Sequence, residues 1–293
     1  MRPAVEATWI GLIGVGGMGL PMVGHLLDAG FAVMVHDLDE GRLGLARERG
    51  AEPAPSLARL AASADIVIAC LPGDPQLEAV VVELAPHVRP GQILVVAGTH
   101  SLAETRATAA ALAPHGARVV DAPVVFGAAG ARDGTLLSLC GGSERDYERV
   151  RPALAAYSGR GVEHVGPLGA GQIAKTCNNL LHWIHSIANF EAIALAKRYG
   201  LDPERMRRVL TSCPGDNGTL RRWEDSRFTW QEKDMDLVMD LAQEGGLVLP
   251  LSGQVDQLVK LMTASDVTDL LHSDVARYLG REIRALSTAD GGL

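Results

Sequence analysis

The chain has 293 residues, 47% hydrophobic and 21% charged, enough apolar material for one large core or two of ordinary size. A formal net charge of −8, with no run of Lys or Arg, excludes the electrostatic footprint of a nucleic-acid or anionic-membrane binder and favours a small-molecule partner. No uncharged apolar run reaches the roughly 18 residues of a membrane span, the start MRPAVEATW has no apolar leader segment, and Cys70, Cys140, Cys177 and Cys213 form no CxxC pair, so a cytoplasmic protein with reduced thiols is expected.

In chain order, the first 165 residues alternate short apolar runs with helical patterns. WIGLIGVG, FAVMVHD, DIVIACLP, GQILVVAG and ARVVDAPVV are predicted strands, each bounded by Gly, Pro or Asp. MGLPMVGHLLDAG, EGRLGLARERG and LAETRATAAALAPHG are predicted helices, each followed by a glycine suited to a C-cap. Such alternation predicts an α/β domain with a doubly wound, mainly parallel sheet covered by helices on both faces. After Gly171, QIAKTCNNLLHWIHSIANFEAIALAKRYG offers a helix over about residues 171–199, roughly 40 Å long at 1.5 Å per residue. PERMRRVLTSC, EKDMDLVMDLAQEG and LSGQVDQLVKLMTAS continue as helices. The expected organisation is a nucleotide-binding domain over 1–165 and an all-α domain over 166–293 that includes the long helix.

WIGLIGVGGMGLPMVGHLLDAG places Gly14, Gly16 and Gly19 in the order GxGxxG, with Gly17 and Met18 completing the loop, directly after a strand and before a helix. Gly14 permits the tight turn, Gly16 lets the backbone approach a pyrophosphate, and Gly19 lets helix and strand pack closely. The phosphates would sit at the helix N-terminus, against free N–H groups and the positive dipole end. Asp37, 23 residues after Gly14, has the spacing of an acid that hydrogen-bonds the ribose hydroxyls of NAD and repels the 2′-phosphate of NADP. The other reading of Asp37 is a cap on the following helix. Arg42 nearby softens the preference, so NAD is the expected cofactor with NADP as the alternative.

On the long helix, Lys175, Asn179, His182, Ser186 and Asn189 fall on one face, while the rest is largely Ile, Ala, Leu, Trp and Phe. A lysine held against apolar surface beside a dinucleotide is suited to exchange a proton with a carbonyl oxygen as hydride moves. The competing reading is that Lys175 snorkels to solvent. His182 and His185 have no HExxH or carboxylate cluster beside them, and no metal is expected.

Four segments now resemble those of the β-hydroxyacid dehydrogenases, the family of 3-hydroxyisobutyrate dehydrogenase: GLIGVGGMGLPMVGHLLDAG, DAPVVFGAAGARDGTL, GAGQIAKTCNN and EKDMDLVMDLA. The resemblance covers nearly the whole chain. It implies a Rossmann-type N-terminal domain, a long interdomain helix and a helical C-terminal domain, with Lys175 as catalytic acid/base and Asn179 contacting substrate. It further implies that Lys233 reaches cofactor and substrate, that Leu71 and Pro72 flank the cofactor, and that Thr99 lies near the nicotinamide.

Two segments depart from the family pattern. Where relatives usually read DAPVSGG, this chain has Val125, Phe126 and Gly127, so the serine hydroxyl offered to a substrate carboxylate is lost. The common DxST segment becomes Ala97, Gly98, Thr99 and His100. The expected activity is NAD(P)-dependent hydride transfer to or from a small β-hydroxy acid or a less polar relative, in a pocket walled on one side by Phe126. An imine reductase and a non-catalytic dinucleotide-binding protein are the alternatives. The apolar long helix needs further cover, so a homodimer or homotetramer is expected.

Overall fold

The computed structural model describes residues 8–223 and 228–287; the segment 1–7, read above as carrying no leader, lies outside the described residues. Two compact units divide the chain, Met1–Lys175 and Thr176–Leu293.

The N-terminal unit alternates strand and helix: β1 (Trp9–Ile13), α1 (Gly19–Asp28), β2 (Ala32–His36), α2 (Glu40–Glu48), β3 (Glu52–Pro53), α3 (Leu57–Ser63), β4 (Ile66–Ala69), α4 (Asp74–Leu84), β5 (Ile93–Val96), α5 (Leu102–Leu112) and β6 (Arg118–Asp121). There follow β7 (Val124–Val125), α6 (Gly127–Arg132), β8 (Leu137–Gly141), α7 (Glu144–Ala155) and β9 (Gly161–Gly166). The nine strands form one sheet in the order β3-β2-β1-β4-β5-β6-β8-β7, with β9 pairing β8. The first six are parallel, whereas β8 is antiparallel to β6 and β7. This is a Rossmann-type doubly wound sheet. The order reverses between β1 and β4, where ligands of such sheets bind beyond the strand C-termini.

The apolar runs are continuous because both sheet faces are buried. Ile10, Leu12, Val33, Val35, Ile68 and Val95 belong to one core, and Ile13, Met34, Val67, Ala69, Leu94 and Val96 to the other. Strands β3, β8 and β9 were not among those predicted. Two residues of β3 are too few for a period, and β8 (LSLCG) mixes apolar and small residues.

Helix α8 (Ala170–Arg198) is continuous for 29 residues, beginning in the first unit and running into the second. The C-terminal unit adds α9 (Pro203–Leu210), α10 (Gly218–Arg221), α11 (Gln231–Glu244), α12 (Pro250–Val259) and α13 (Ala264–His272). Its core gathers Trp183, Ile187, Phe190 and Ile193 of α8 around Trp223, Met235, Val255, Val259 and Leu270. The unit is helical, with one addition to the all-α reading: β10 (Ala276–Tyr278) and β11 (Arg281–Ile283) form an antiparallel hairpin. Gly280, in the left-handed region at φ 77°, turns it, and strands of three residues carry too little alternation to be seen in sequence.

Candidate active site

The glycine loop is built as its spacing predicted. Gly14 lies in the left-handed region at φ 90°, and a Cβ there would stand 2.4 Å from the Cys70 carbonyl oxygen. A Cβ on Gly19 would stand 1.9 Å from the Gly14 carbonyl oxygen, so strand and helix meet with no space between. A Cβ on Gly17 would meet nothing within 4 Å. The loop is therefore closed on its inner side and open outward. Helix α1 follows the N-cap Met18, which supplies no side-chain cap; in its first turn Leu20 and Met22 donate to the Gly16 and Met18 carbonyls and Pro21 has no N–H, so a phosphate would be met by the positive end of the helix and the N–H groups of the preceding loop. These features fit the pyrophosphate of a dinucleotide.

Asp37 follows β2 and accepts the Val15 N–H at 2.8 Å through Oδ2 and the Asp39 N–H at 3.0 Å through Oδ1. It does not cap the next helix; Asp39 does, accepting from the N–H groups of Gly41 and Arg42. Each Asp37 oxygen keeps a lone pair for a ribose hydroxyl. Arg42 reaches 3.9 Å from Asp37 and lies 3.5 Å from the Cβ position of Gly16, so one cation borders the same edge. Leu71 packs against the loop, its Cδ2 3.2 Å from the Cβ position of Gly14, and the exposed Pro72 follows.

Thr99 is half-buried in the segment after β5, next to the buried His100. His100 Nδ1 lies 3.0 Å from Asp74 Oδ1, and Asp74 also accepts the Ser101 N–H at 3.2 Å. Burial raises the Asp74 carboxyl, but His100 and Ser101 outweigh it and hold it at about 2 against an ordinary 3.8. A depressed folded-state value contributes stability above the unfolded value that is lost as pH falls through the folded one. The stability difference between wild type and Asp74→Asn is therefore expected to shrink between about pH 5 and pH 2, by about 1 kcal/mol after allowance for solvent screening at a side chain 34% exposed. Chemical denaturation of both proteins across that range would show no such convergence if the pair contributed nothing.

Asp121 ends β6 fully buried and accepts the N–H groups of Gly169 at 2.7 Å and Gln172 at 2.8 Å, at the N-terminus of α8. Burial pushes its carboxyl above the ordinary range, and those N–H groups counter part of that rise. Gly171 makes the approach possible: a Cβ there would stand 2.2 Å from the Leu139 carbonyl oxygen. This acid of the DAPVV segment therefore anchors the helix that carries Lys175. Lys175 itself is half-buried, one turn into α8.

Further along DAPVVFG, Val125 pairs with Leu137 of β8. Phe126 occupies the left-handed region at φ 84°, ψ 5°, a conformation costing a bulky residue about 1–2 kcal/mol. Its ring packs against the α1-side core with Val124 and carries the Arg160 guanidinium 4.1 Å from its centroid. By strand alternation Val125 points to the opposite sheet face. The Phe126 ring thus lies on the core side under Arg160, while Val125 occupies the other face. Gly127 is also left-handed, at φ 59°, and exposed.

In the C-terminal unit the polar stripe of α8 divides. Asn179 is buried and accepts the Asn178 amide at 3.1 Å. His182, Ser186 and Asn189 serve packing: His182 Nδ1 lies 3.0 Å from Thr219 Oγ1, Ser186 donates to the His182 carbonyl, and Asn189 exchanges amide bonds with Asn217, the N-cap of α10. The half-buried Lys233 has its Nζ 5.9 Å from the Trp230 ring centroid, and the neighbouring Asp234 accepts the Trp183 indole N–H at 3.1 Å. Among the described residues no group of three His, Cys, Asp or Glu is placed to hold a metal. No helix among them is long and apolar enough to cross a membrane.

Residues 9–166 match a family model described as the NAD binding domain of 6-phosphogluconate dehydrogenase, and residues 169–279 one described as NAD-binding of NADP-dependent 3-hydroxyisobutyrate dehydrogenase. The chain belongs to the β-hydroxyacid dehydrogenase family. As such it is an oxidoreductase acting on CH–OH groups, with NAD as cofactor and NADP as the alternative. Among its relatives, a probable mitochondrial 3-hydroxyisobutyrate dehydrogenase of Dictyostelium discoideum is 31% identical over 87% of this chain and 85% of its own length. An NAD-dependent L-serine dehydrogenase of Pseudomonas aeruginosa is 36% identical over 72% of each chain. The solved 3-hydroxyisobutyrate dehydrogenase of Mycobacterium tuberculosis with L-serine superposes with a TM-score of 0.82 at 28% identity, covering 91% of this dehydrogenase and 99% of that chain. An imine reductase of Streptomyces aurantiacus, 19% identical with a TM-score of 0.66, shares the fold alone.

The Asp74–His100 contact, the Gln172 amide bonds and the Asp121 anchor of α8 were not deduced from sequence. The one local signal was Asp74 in LPGDP, an acid in the first turn of a helix.

Proposed function

We propose that this dehydrogenase interconverts a small β-hydroxy acid, or a less polar relative of one, and the corresponding carbonyl compound, with Lys175 as general acid/base. The observation carrying the proposal is the anchoring of α8: Asp121 fixes the first turn of the one helix that presents Lys175 and, a turn later, Asn179. Bound NAD(H) supplies the hydride chemistry. In oxidation Lys175 takes the hydroxyl proton, and in reduction it returns a proton to the carbonyl oxygen. Asn179 and Lys233 contribute substrate contacts, Lys233 also bordering the cofactor. On the N-terminal unit Gly14, Gly16, Gly17, Met18 and Gly19 bind the pyrophosphate, Asp37 the ribose, and Leu71, Pro72 and Thr99 the remainder of the cofactor.

3-Hydroxyisobutyrate and serine, named for relatives above, share a primary alcohol one carbon from the carbon that bears the carboxylate. That arrangement defines the substrate class proposed here, with Val125, Phe126 and Gly127 forming the segment beside the carboxylate. A panel of hydroxy acids and simple alcohols, assayed with NAD and NADP, should give the highest kcat/KM for a β-hydroxy compound with NAD. Turnover confined to cyclic imines, or none with any alcohol, would overturn the proposal.

Val125→Ser adds back one hydroxyl donor for a carboxylate, a bond worth about 1.5–3 kcal/mol and thus about 10- to 100-fold. The variant should gain by that factor in kcat/KM for 3-hydroxyisobutyrate relative to an uncharged alcohol. A ratio that stays constant would place the substrate carboxylate elsewhere.

The enzyme is further proposed to be a homodimer or homotetramer that covers α8. Ile173, Cys177, Leu181, Ala188, Ala192 and Leu195 follow one another along a single helix face and all are exposed, Leu181 by 55% and Leu195 by 61%. A monomeric mass by sedimentation at micromolar concentration would refute this.

A further inference from the structure

Thr99 is bracketed by a single side chain. The Gln172 amide accepts the His100 N–H at 3.0 Å and donates to the Gly98 carbonyl at 2.9 Å, so the residues on either side of Thr99 are tied to one rigid plane. Gln172 is 1% exposed and its backbone N–H is held by Asp121, so its backbone is fixed at the first turn of α8 and burial leaves its side-chain amide little room to turn. His100 is equally buried, and its ring is fixed from the other side by Asp74 at 3.0 Å. Asp74 accepts the Ser101 N–H as well, so one carboxylate grips both the side chain of residue 100 and the backbone of residue 101.

Space closes the remaining freedom. A Cβ on Gly98 would lie 2.5 Å from His100 Nε2 and 2.5 Å from the Leu71 carbonyl oxygen. Leu71 in turn lies against Gly14 of the glycine loop. The segment 98–101 is thus pinned between the loop that receives the pyrophosphate and the helix that carries Lys175.

We propose that Asp74, His100 and Gln172 are positioning residues that set Thr99 for the nicotinamide end of the cofactor. The proposal rests on the reading of Thr99 as the nicotinamide neighbour. These residues hold the segment at Thr99 by direct hydrogen bonds, whereas their link to the glycine loop, which with Asp37 serves the adenosine and pyrophosphate, runs through the packing of Leu71, so the larger effect is expected at the nicotinamide end. In a buried network each member holds the next, so loss of one frees the segment at Thr99.

The test compares calorimetric affinities for NADH and for ADP-ribose, which lacks the nicotinamide. His100→Ala should weaken NADH binding by about 10-fold and leave ADP-ribose within about 2-fold. His100→Asn places an amide nitrogen where Nδ1 stands and should restore NADH binding to within about 3-fold of wild type. Should His100→Ala fail to fold, Asp74→Ala at the partly exposed end of the chain of contacts should change the two affinities in the same ratio. Equal losses for both ligands would mean the network merely supports the fold, and unchanged NADH affinity would mean it positions nothing. Either result overturns the proposal alone. Failure of wild type to bind NADH or ADP-ribose would overturn the dinucleotide reading together with it.

Discussion

Lys175→Ala is expected to lower kcat by about 10²- to 10⁴-fold, the range for loss of a positioned acid/base, while NADH affinity stays within about 3-fold. Stopped-flow turnover with saturating substrate, alongside NADH titration of the same protein, separates the two quantities. Half-burial of Lys175 and the Asp121 anchor beneath its helix are what make the effect specific: the side chain stands on a turn that cannot slide, and its removal leaves that turn intact. Lys175→Arg sharpens the test. A guanidinium keeps the charge but does not release its proton near neutral pH, so it should be nearly as slow as alanine. Recovery of turnover in the arginine variant would reduce Lys175 to an electrostatic role.

Gly19→Ala is expected to lower affinity for NADH and ADP-ribose alike by about 100-fold and to destabilise the fold by about 1–3 kcal/mol, the range for an overpacked site. The cause is a Cβ 1.9 Å from the Gly14 carbonyl oxygen, a backbone atom that can move only by opening the loop. Gly17→Ala is the internal control. Its Cβ meets nothing within 4 Å, so the melting temperature should stay at the wild-type value while any loss of affinity reports the space that a phosphate needs. Equal melting temperatures for the two variants would show that the close contact at Gly19 is not limiting.

Both predictions concern residues that the chain itself singles out, and the reason is local. GxGxxG encodes a turn, a helix start and a close approach within six residues, so its structure follows from backbone geometry that only glycine permits. The alternating apolar runs gave the parallel sheet, since a strand buried on both faces must be apolar throughout. The length of α8 and the face shared by Lys175 and Asn179 followed from the absence of Gly and Pro and from the helical period.

What sequence did not disclose depends on pairing across distance. His182 and Asn189 carried the same period as Lys175 and Asn179, and only their partners Thr219 and Asn217 mark them as packing residues. The left-handed turn at Phe126 and the Arg160 guanidinium over its ring also left no mark in the chain. Strands β8 and β9 have no distinctive period, because they exist by hydrogen bonding to neighbours rather than by an apolar face of their own.

The sequence by itself thus determined the fold class, the dinucleotide loop and the helix that carries Lys175, all set by spacings of fewer than about 30 residues. Tertiary structure decided the rest. Asp121 reaches Gln172 across 51 residues, Gln172 reaches His100 across 72, and His100 reaches Asp74 across 26. A hydrogen bond constrains two atoms in space and leaves no period in the chain between them, so the network that fixes Thr99 emerged only once the sheet and α8 had been folded together.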